Sequence, residues 1–373
     1  MNSELPSKSI DKLRQLAVRL IDQRECKQLI QPLGSGEGFW FGGGNFIQMN
    51  DGNIFVCGRY RNHGDARTGV GAGERGLEFS VFQVSENFES ATKVFALSKS
   101  ELSFDSEVVS IEGGCLINSV DGHGVEAIIS TEKKKAYPKE FINFQKPGTG
   151  VWSIDLLKGP SGITSLNTEK ATVIANSEEP NTLHVKDPVV FRIKPDQTEL
   201  IYCHHPFSWS SSNTGLRRRL KEEEEFQVIE ENVLPRGNSW DVACSRLTER
   251  LSVPKIGEFS ELPDLSLYFY DGAECLRSLE QNKEAAHRPR GYSCEELGGL
   301  AWGWDDEFPK MQKITHHFPL FISPYGTGCS RYVSAIHLQD GSILAGWQQS
   351  QKDLSQPLVV NHLSANSVKA ILN

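Results

Sequence analysis

Phe46–Tyr60 reads FIQMNDGNIFVCGRY: a short apolar segment, an Asn-Asp-Gly-Asn turn, and a second segment rich in Ile, Phe, Val and Tyr. Asp-Gly between two such segments signals a β-hairpin, because glycine accepts the positive φ that a tight turn requires. The layout returns as CLINSVDGHGVEAIIST from Cys115, VVFRIKPDQTELIYCHH from Val189 and SAIHLQDGSILAGWQQS from Ser334. The first strands are thus spaced by about 70 residues, and the last gap is about twice that, as an internal repeat with one hidden copy requires. The hidden copy is read in SWDVACSRLTERLSV, near Val242, followed by SLYFYDGAE.

Five strand-rich units predict an all-β chain, a five-bladed β-propeller, since radial repetition limits the exposed edges of antiparallel sheets. The propeller is expected over residues 35–373. Residues 1–34 are expected to form a lead-in with one amphipathic helix, because Leu13, Leu16, Ala17, Leu20, Ile21 and Leu29 recur at helical spacing between Ile10 and Ile30. Two segments interrupt the pattern. Leu216–Phe226, LRRRLKEEEEF, is expected to be a solvated loop or short helix. Asn282–Pro324, rich in Gly, Trp and acid, is expected to be a long loop over one face.

A chain of 373 residues, 38% apolar, can bury a large core. Its net charge of −9 argues against nucleic acid or an anionic membrane as the main partner and leaves small molecules or neutral polymers. No apolar run reaches the roughly 20 residues that span a bilayer. Met1-Asn-Ser-Glu-Leu-Pro lacks the basic start and apolar block of a secretory signal, so a cytoplasmic location is expected. The eight cysteines form no C-x-x-C pair and are expected to be mostly buried free thiols.

In a propeller the innermost strands run along the axis, so residues at their openings converge on one funnel. Aligned, these openings read Gly43-Gly44-Asn45-Phe46, Ile111-Glu112-Gly113-Gly114-Cys115, Lys186-Asp187-Pro188-Val189, Ser239-Trp240-Asp241-Val242 and Ser330-Arg331-Tyr332-Val333. Three consecutive blades therefore offer an acid at one structural place: Glu112, Asp187 and Asp241. Carboxylates gathered across a cleft suit glycosidic bond cleavage, where a neutral one protonates the leaving oxygen and an ionised one activates water or attacks carbon. A third can set the acid's pKa and orientation.

The repeat over residues 35–365 and the Lys186-Asp187-Pro188-Val189-Val190-Phe191 strand opening resemble the five-bladed β-propeller glycosidases, the architecture of glycoside hydrolase families such as 43, 32, 62, 117 and 130. The resemblance to family 43 implies an Asp base, an orienting Asp and a Glu acid on successive blades, with inversion. This chain departs from that order: Gly-Gly-Asn45 stands in the first blade where such enzymes carry Asp. The expected roles are therefore Asp187 as the orienting, pKa-setting residue, Glu112 and Asp241 as general acid and base, and Glu274 as a reserve acid.

Around the funnel, Arg59, Arg61, His63 and Asp65 leave a strand into a Gly-rich loop and are expected to contact substrate hydroxyl or carboxylate groups, with Arg331. No helical pattern follows that loop, so it is not read as a phosphate cradle. His204, Trp209 and Trp302 are further candidates for substrate contact, through a ring nitrogen or an apolar ring face. No cofactor is indicated. The acid-rich Trp302–Glu307 is an alternative structural Ca²⁺ site, though its spacing matches no calcium loop. The expected partner is a carbohydrate, acidic or sulfated if the arginines bind it. Two other readings fit the same residues: a non-catalytic propeller that binds glycan or protein, and a uronate-specific lyase in which Arg59, Arg61 and Arg331 neutralise the substrate.

Overall fold

A computed structural model describes residues 4–62, 76–144, 149–207, 211–222, 224–274 and 296–373. Five antiparallel sheets form a five-bladed propeller. In blade I the innermost position is shared by two short strands, Trp40–Gly42 and Phe46–Gln48, followed outward by Ile54–Arg61, Glu78–Val84 and Ala91–Ser98. The inner strands of blades II to V are Val108–Asn118, Leu183–Lys194, Cys244–Ser252 and Ser330–His337. Each of the four hairpins anticipated from Asp-Gly or Pro-Asp turns is the inner pair of a blade.

Five apolar clusters account for the closed ring, because each lies between two neighbouring blades. Phe79, Val81, Leu116 and Ile129 join blades I and II, and Ile128, Val185 and Leu200 join II and III. Ile201, Leu216, Trp240 and Leu247 join III and IV, Leu267, Phe269, Ala335 and Trp347 join IV and V, and Leu344, Val360, Phe41 and Phe46 join V and I. The alternating strand pattern thus leaves each sheet with two apolar faces, as a radial stack requires.

The lead-in differs from expectation. The helix α1 runs only over Ser7–Leu20, burying Leu13, Leu16, Ala17 and Leu20 against the cluster between blades IV and V. Lys27–Ile30 is a strand that pairs with Leu358–Leu363 and completes blade V from outside, so the propeller begins before residue 35. A second helix, α2 (Ala365–Leu372), packs beside α1; its start is capped by Ser364, whose side chain accepts from the Ser367 N–H. No helix among the described residues is long and apolar enough to cross a membrane.

Each of the two interruptions contains strand, although the first is strand only as far as Arg219 and runs as loop from there to Phe226 among the described residues. Asn213–Arg219 is the third strand of blade III; its Arg218 pairs with the cross-strand Glu199 of the same blade (2.9 Å), and Arg219 reaches between sheets to the buried Glu126 of blade II. Within the second, Leu297–Trp304 and Gln312–Lys313 are the third and fourth strands of blade IV. Cys57, Cys115, Cys203, Cys244 and Cys329 are buried free thiols and Cys26 is half-buried; Cys275 and Cys294 lie outside the described residues.

Candidate active site at the propeller axis

Every blade carries a one-residue slip in the pairing of its inner strand, and blades II and III have further slips elsewhere along that strand. The slip falls between Gly42 and Phe46 in blade I and between Ile111 and Gly114 in blade II. It falls between Lys186 and Val189, Leu247 and Glu249, and Arg331 and Ser334 in blades III to V. One extra residue in a strand bends it and re-aims a side chain. The first residues in these five bulges are Gly43, Glu112, Asp187, Thr248 and Tyr332. Gly43, Asp187 and Tyr332 have φ of +71°, +51° and +53°. For an aspartate or tyrosine this backbone costs on the order of 1–3 kcal/mol, and such strain concentrates at functional sites. Gly113 lets the next blade approach: a Cβ there would meet the Asp187 carboxylate oxygen at 3.0 Å.

The structure places Glu112 and Asp187 at equivalent positions and Asp241 elsewhere. The inner strand of blade IV opens at Cys244, three residues after Asp241, and its bulge holds Thr248. Asp241 is fully buried within the blade, paired with Lys313 (2.5 Å) and accepting from the Tyr270 hydroxyl (3.3 Å). The adjacent Trp240 stacks on Tyr270. Trp240-Asp241-Val242 imitates an apolar strand opening, but its tryptophan is a core anchor.

One network links all five blades around the axis. Glu112 accepts from Ser110 (3.0 Å) and pairs with Arg59 at 3.4 Å. The Arg59 guanidinium lies 5.7 Å from the centre of the Tyr332 ring. The Tyr332 hydroxyl donates to Asp187 Oδ1 (3.3 Å), and Cys203 Sγ donates to Oδ2 (3.4 Å). Arg246 pairs with Asp187 (3.0 Å), Asp271 (2.7 Å) and Glu296 (3.0 Å), and Arg331 with Glu296 (2.5 Å). Both Asp271 oxygens also accept from the Tyr332 N–H at 3.2 Å.

These surroundings push the carboxyls apart. Burial raises Asp271 above the ordinary range, with Arg246 opposing and Glu296 adding to the rise. Burial acts on Glu296 too, but Arg246 and Arg331 overcome it and hold this group well below the usual carboxylate range. Burial likewise raises the Tyr332 hydroxyl, so it serves as a hydrogen-bond donor at neutral pH. Deeper along the axis, Glu249 is raised to about 7 by burial, although it accepts from Ser334 Oγ (2.8 Å) and the N–H groups of Ala335 (3.1 Å) and Arg250 (2.9 Å).

The remaining sequence candidates divide. Arg59 and Arg331 are in the network. Arg61 lies beside it: its guanidinium and that of Arg331 sit 4.0 and 4.2 Å from the centre of the Trp40 ring. His204 is buried in blade III, its Nε2 at 2.6 Å from the Glu231 carbonyl, and burial lowers its pKa. Trp302, 3% exposed, packs edge-on to Trp304 in the core beneath α1 and presents no face to a sugar. Glu274 follows the second strand of blade IV, half-buried, whereas Asp271 three residues earlier joins the network. His63, Asp65 and Trp209 lie outside the described residues. In the Trp302–Glu307 segment Asp305 pairs with Arg250 (2.6 Å) and accepts from Ser266, and no group of three metal-ligating residues stands together among the described residues.

Sequence reasoning missed Arg246, Asp271, Glu296 and Tyr332. Arg246 and Asp271 are direct cross-strand partners, so pairing SRLTER against YFYDGA would have exposed them. Asn45 explains the departure in blade I. Its amide donates to the Leu116 carbonyl (2.9 Å) and accepts from the Leu116 N–H (2.8 Å), imitating a strand between blades I and II. An aspartate could not donate there.

No protein-family profile matches the chain, and no curated protein matches its sequence. Solved structures share its fold. A glycoside hydrolase aligns with a TM-score of 0.58 and 11% identity over 96% of each chain. An α-L-arabinofuranosidase from Lactobacillus brevis aligns with 0.53 and 10% over 90% of this chain and 92% of that one. A thermostable family-43 glycoside hydrolase aligns with 0.51 and 12% over 89% and 91%. Five-bladed glycoside hydrolases are thus the chain's structural neighbours, and at these identities they show its fold alone.

Proposed function

We propose that the chain is a glycoside hydrolase, cleaving a glycosidic bond in oligosaccharides or at polysaccharide ends by acid and base catalysis at the mouth of the axis. The observation that carries this reading is the pair Glu112 and Asp187, in one bulge position of successive blades and in one network with Asp271 and Glu296. The fold shared with carbohydrate-active enzymes, an arabinofuranosidase among them, supports a sugar as the partner.

Hydrolysis needs one carboxyl that arrives protonated and one that is ionised. Glu296, kept ionised by two guanidiniums, suits the base or nucleophile. Glu112, at the other end of the network, suits the general acid. Asp187 stands between them, held by Arg246, Tyr332 and Cys203, and orients the pair. Three guanidiniums (Arg59, Arg246, Arg331) face four carboxylates (Glu112, Asp187, Asp271, Glu296) in this network. Cations already matched by acids favour a neutral sugar over a uronate or sulfated one, and weigh against the lyase reading. The same ion pairing favours a second reading, a non-catalytic glycan-binding propeller, because paired acids are also what a purely structural network would hold.

The test is sugar release from a panel of neutral, uronate-containing and sulfated oligosaccharides, comparing wild type with folded Glu112→Gln and Asp187→Asn. Release from neutral substrates that falls by about a hundredfold or more in both variants is expected for a general acid and for the residue that orients the acid and base pair. Release unchanged in both would remove the site assignment, and binding without release would select the second reading.

A further inference from the structure

Away from the axis, on the funnel side of blade III, a cavity of about 420 Å³ opens among Ser177, Glu178, Thr182, Tyr202, Arg217 and Glu231. Its size falls within the range of small-ligand sites, roughly 300–1,000 Å³. It lies where the last strand of blade II hands over to the first strand of blade III, and it is tied to the funnel by one strand. Val185 lines the cavity and Asp187 lies two residues further on, a separation of about 7 Å or less at 3.3 Å per residue.

The walls are built rather than incidental. Tyr202 is almost fully buried, and its hydroxyl donates to Glu231 Oε2 at 2.8 Å. Its neighbour in the wall, Arg217, is half-buried, with its guanidinium 5.7 Å from the centre of the Tyr202 ring. Nη1 of Arg217 donates to the Ile174 carbonyl (3.2 Å), while its buried Nε has no acceptor among the described residues. The hydroxyls of Ser177 and Thr182 bond each other at 2.6 Å. Glu178 is partly neutralised by Lys135 (2.6 Å).

The geometry points to a second subsite that binds neutral, polyhydroxylated units of the substrate, the sugars beyond the bond broken at the axis. This rests on the glycosidase reading for what it adds to catalysis. The chemistry selects the ligand class: one guanidinium, three hydroxyl groups and carboxylates offer donors and acceptors in alternation, which suits vicinal diols. The excess of carboxylates repels an anionic ligand, and a purely aliphatic or aromatic one would leave the guanidinium and carboxylates of the wall without partners.

The experiment is calorimetric titration of full-length Asp187→Asn with neutral pentose and hexose oligosaccharides of two to six units. The same titration is made in backgrounds that add Arg217→Ala or, as a milder surface change, Glu178→Gln. Affinity is expected to rise about tenfold with chain length, which is 1.4 kcal/mol of added contact, and to lose that rise in both double variants while the shortest ligands bind unchanged. Length-independent affinity, or a rise that survives both changes, overturns the subsite. Tighter binding of glucosamine than of glucose that depends on Glu178 and Glu231 overturns the neutral class. Length-dependent, Arg217-dependent binding in a protein that releases no sugar would uphold the subsite and remove the glycosidase reading instead.

Discussion

Glu249→Gln should make the protein more stable than wild type at alkaline pH and should lose this advantage in acid. Glu249 sits on the axis beneath the funnel and fastens blade IV to blade V through Ser334 and Ala335, and Ser334 Oγ in turn accepts from the Phe46 N–H of blade I (3.0 Å). Burial lifts its carboxyl from 4.5 to about 7. A carboxyl raised on folding binds more protons in the native than in the unfolded state between those two values, so its stability contribution is intact below pH 4.5 and shrinks as pH rises through 7. At about 1.4 kcal/mol per unit, the loss is on the order of 1 kcal/mol at pH 5 and about 3 kcal/mol at pH 8. A glutamine keeps an acceptor for Ser334 and Ala335 and never ionises. It also sets its NH₂ against the Arg250 N–H, a fixed cost of about 1 kcal/mol that does not vary with pH. The stability difference between variant and wild type should therefore grow by about 2–3 kcal/mol in favour of the variant between pH 5 and pH 8. Urea unfolding of both proteins at the two pH values measures it. A difference that stays constant, or moves the other way, would refute the argument that Glu249 is ionised at a cost inside the ring.

Two further substitutions test the network itself. Asn45→Asp replaces the donor to the Leu116 carbonyl by an acceptor; a loss of about 2 kcal/mol is expected at pH 7.5, with part of it recovered at pH 4.5, where the carboxyl regains a proton to donate, and urea midpoints at the two pH values report it. Arg246→Met strips the shared cation from Asp187, Asp271 and Glu296, so a loss of about 3–5 kcal/mol is expected at pH 7. Arg246→Lys should recover part of this, because it keeps the charge without the fork that reaches several carboxylates. Equal denaturation midpoints for the Met and Lys variants would show that the charge at this position is not what holds the network.

The inner hairpins were legible because alternation and an Asp-Gly or Pro-Asp turn are local properties, and with them came the blade count and the position of Asp187. What failed depended on partners distant in the chain. Arg217-Arg218-Arg219 looks like a solvated charge block until Glu126 is known to wait 93 residues away in the next blade. The end of the helix was hidden for a similar reason, since Leu29 and Ile30 continue its apolar spacing while pairing with Leu358–Leu363 at the far end of the chain. In blade IV the alternation begins at Cys244 with polar residues, whereas Trp240 offers the stronger apolar cue four residues early, and the acid beside it was misaligned in consequence. Asp271 and Glu296 could not be ranked above Glu274, because their role is set by Arg246, whose three carboxylate partners come from two blades and a loop.

The bulge explains how one architecture tolerates different chemistry at its axis. Flanking residues of each inner strand are fixed by pairing and by the apolar clusters between blades, whereas the extra residue makes no ladder bond of its own and, in Glu112, Asp187 and Tyr332, carries its side chain into the axial network. Glycine, glutamate, aspartate, threonine and tyrosine occupy this slot in the five blades of a single chain. The slot therefore constrains place and direction, not residue type, and a shared fold at 10–12% identity leaves the axial chemistry free. What limits the choice is charge balance. Four carboxylates cannot be buried around one axis without cations, so Arg59, Arg246 and Arg331 must arrive with them from blades I, IV and V. Substitution at one slot consequently changes the ionisation of groups in other blades, and the acid–base assignment belongs to the ring rather than to any one strand.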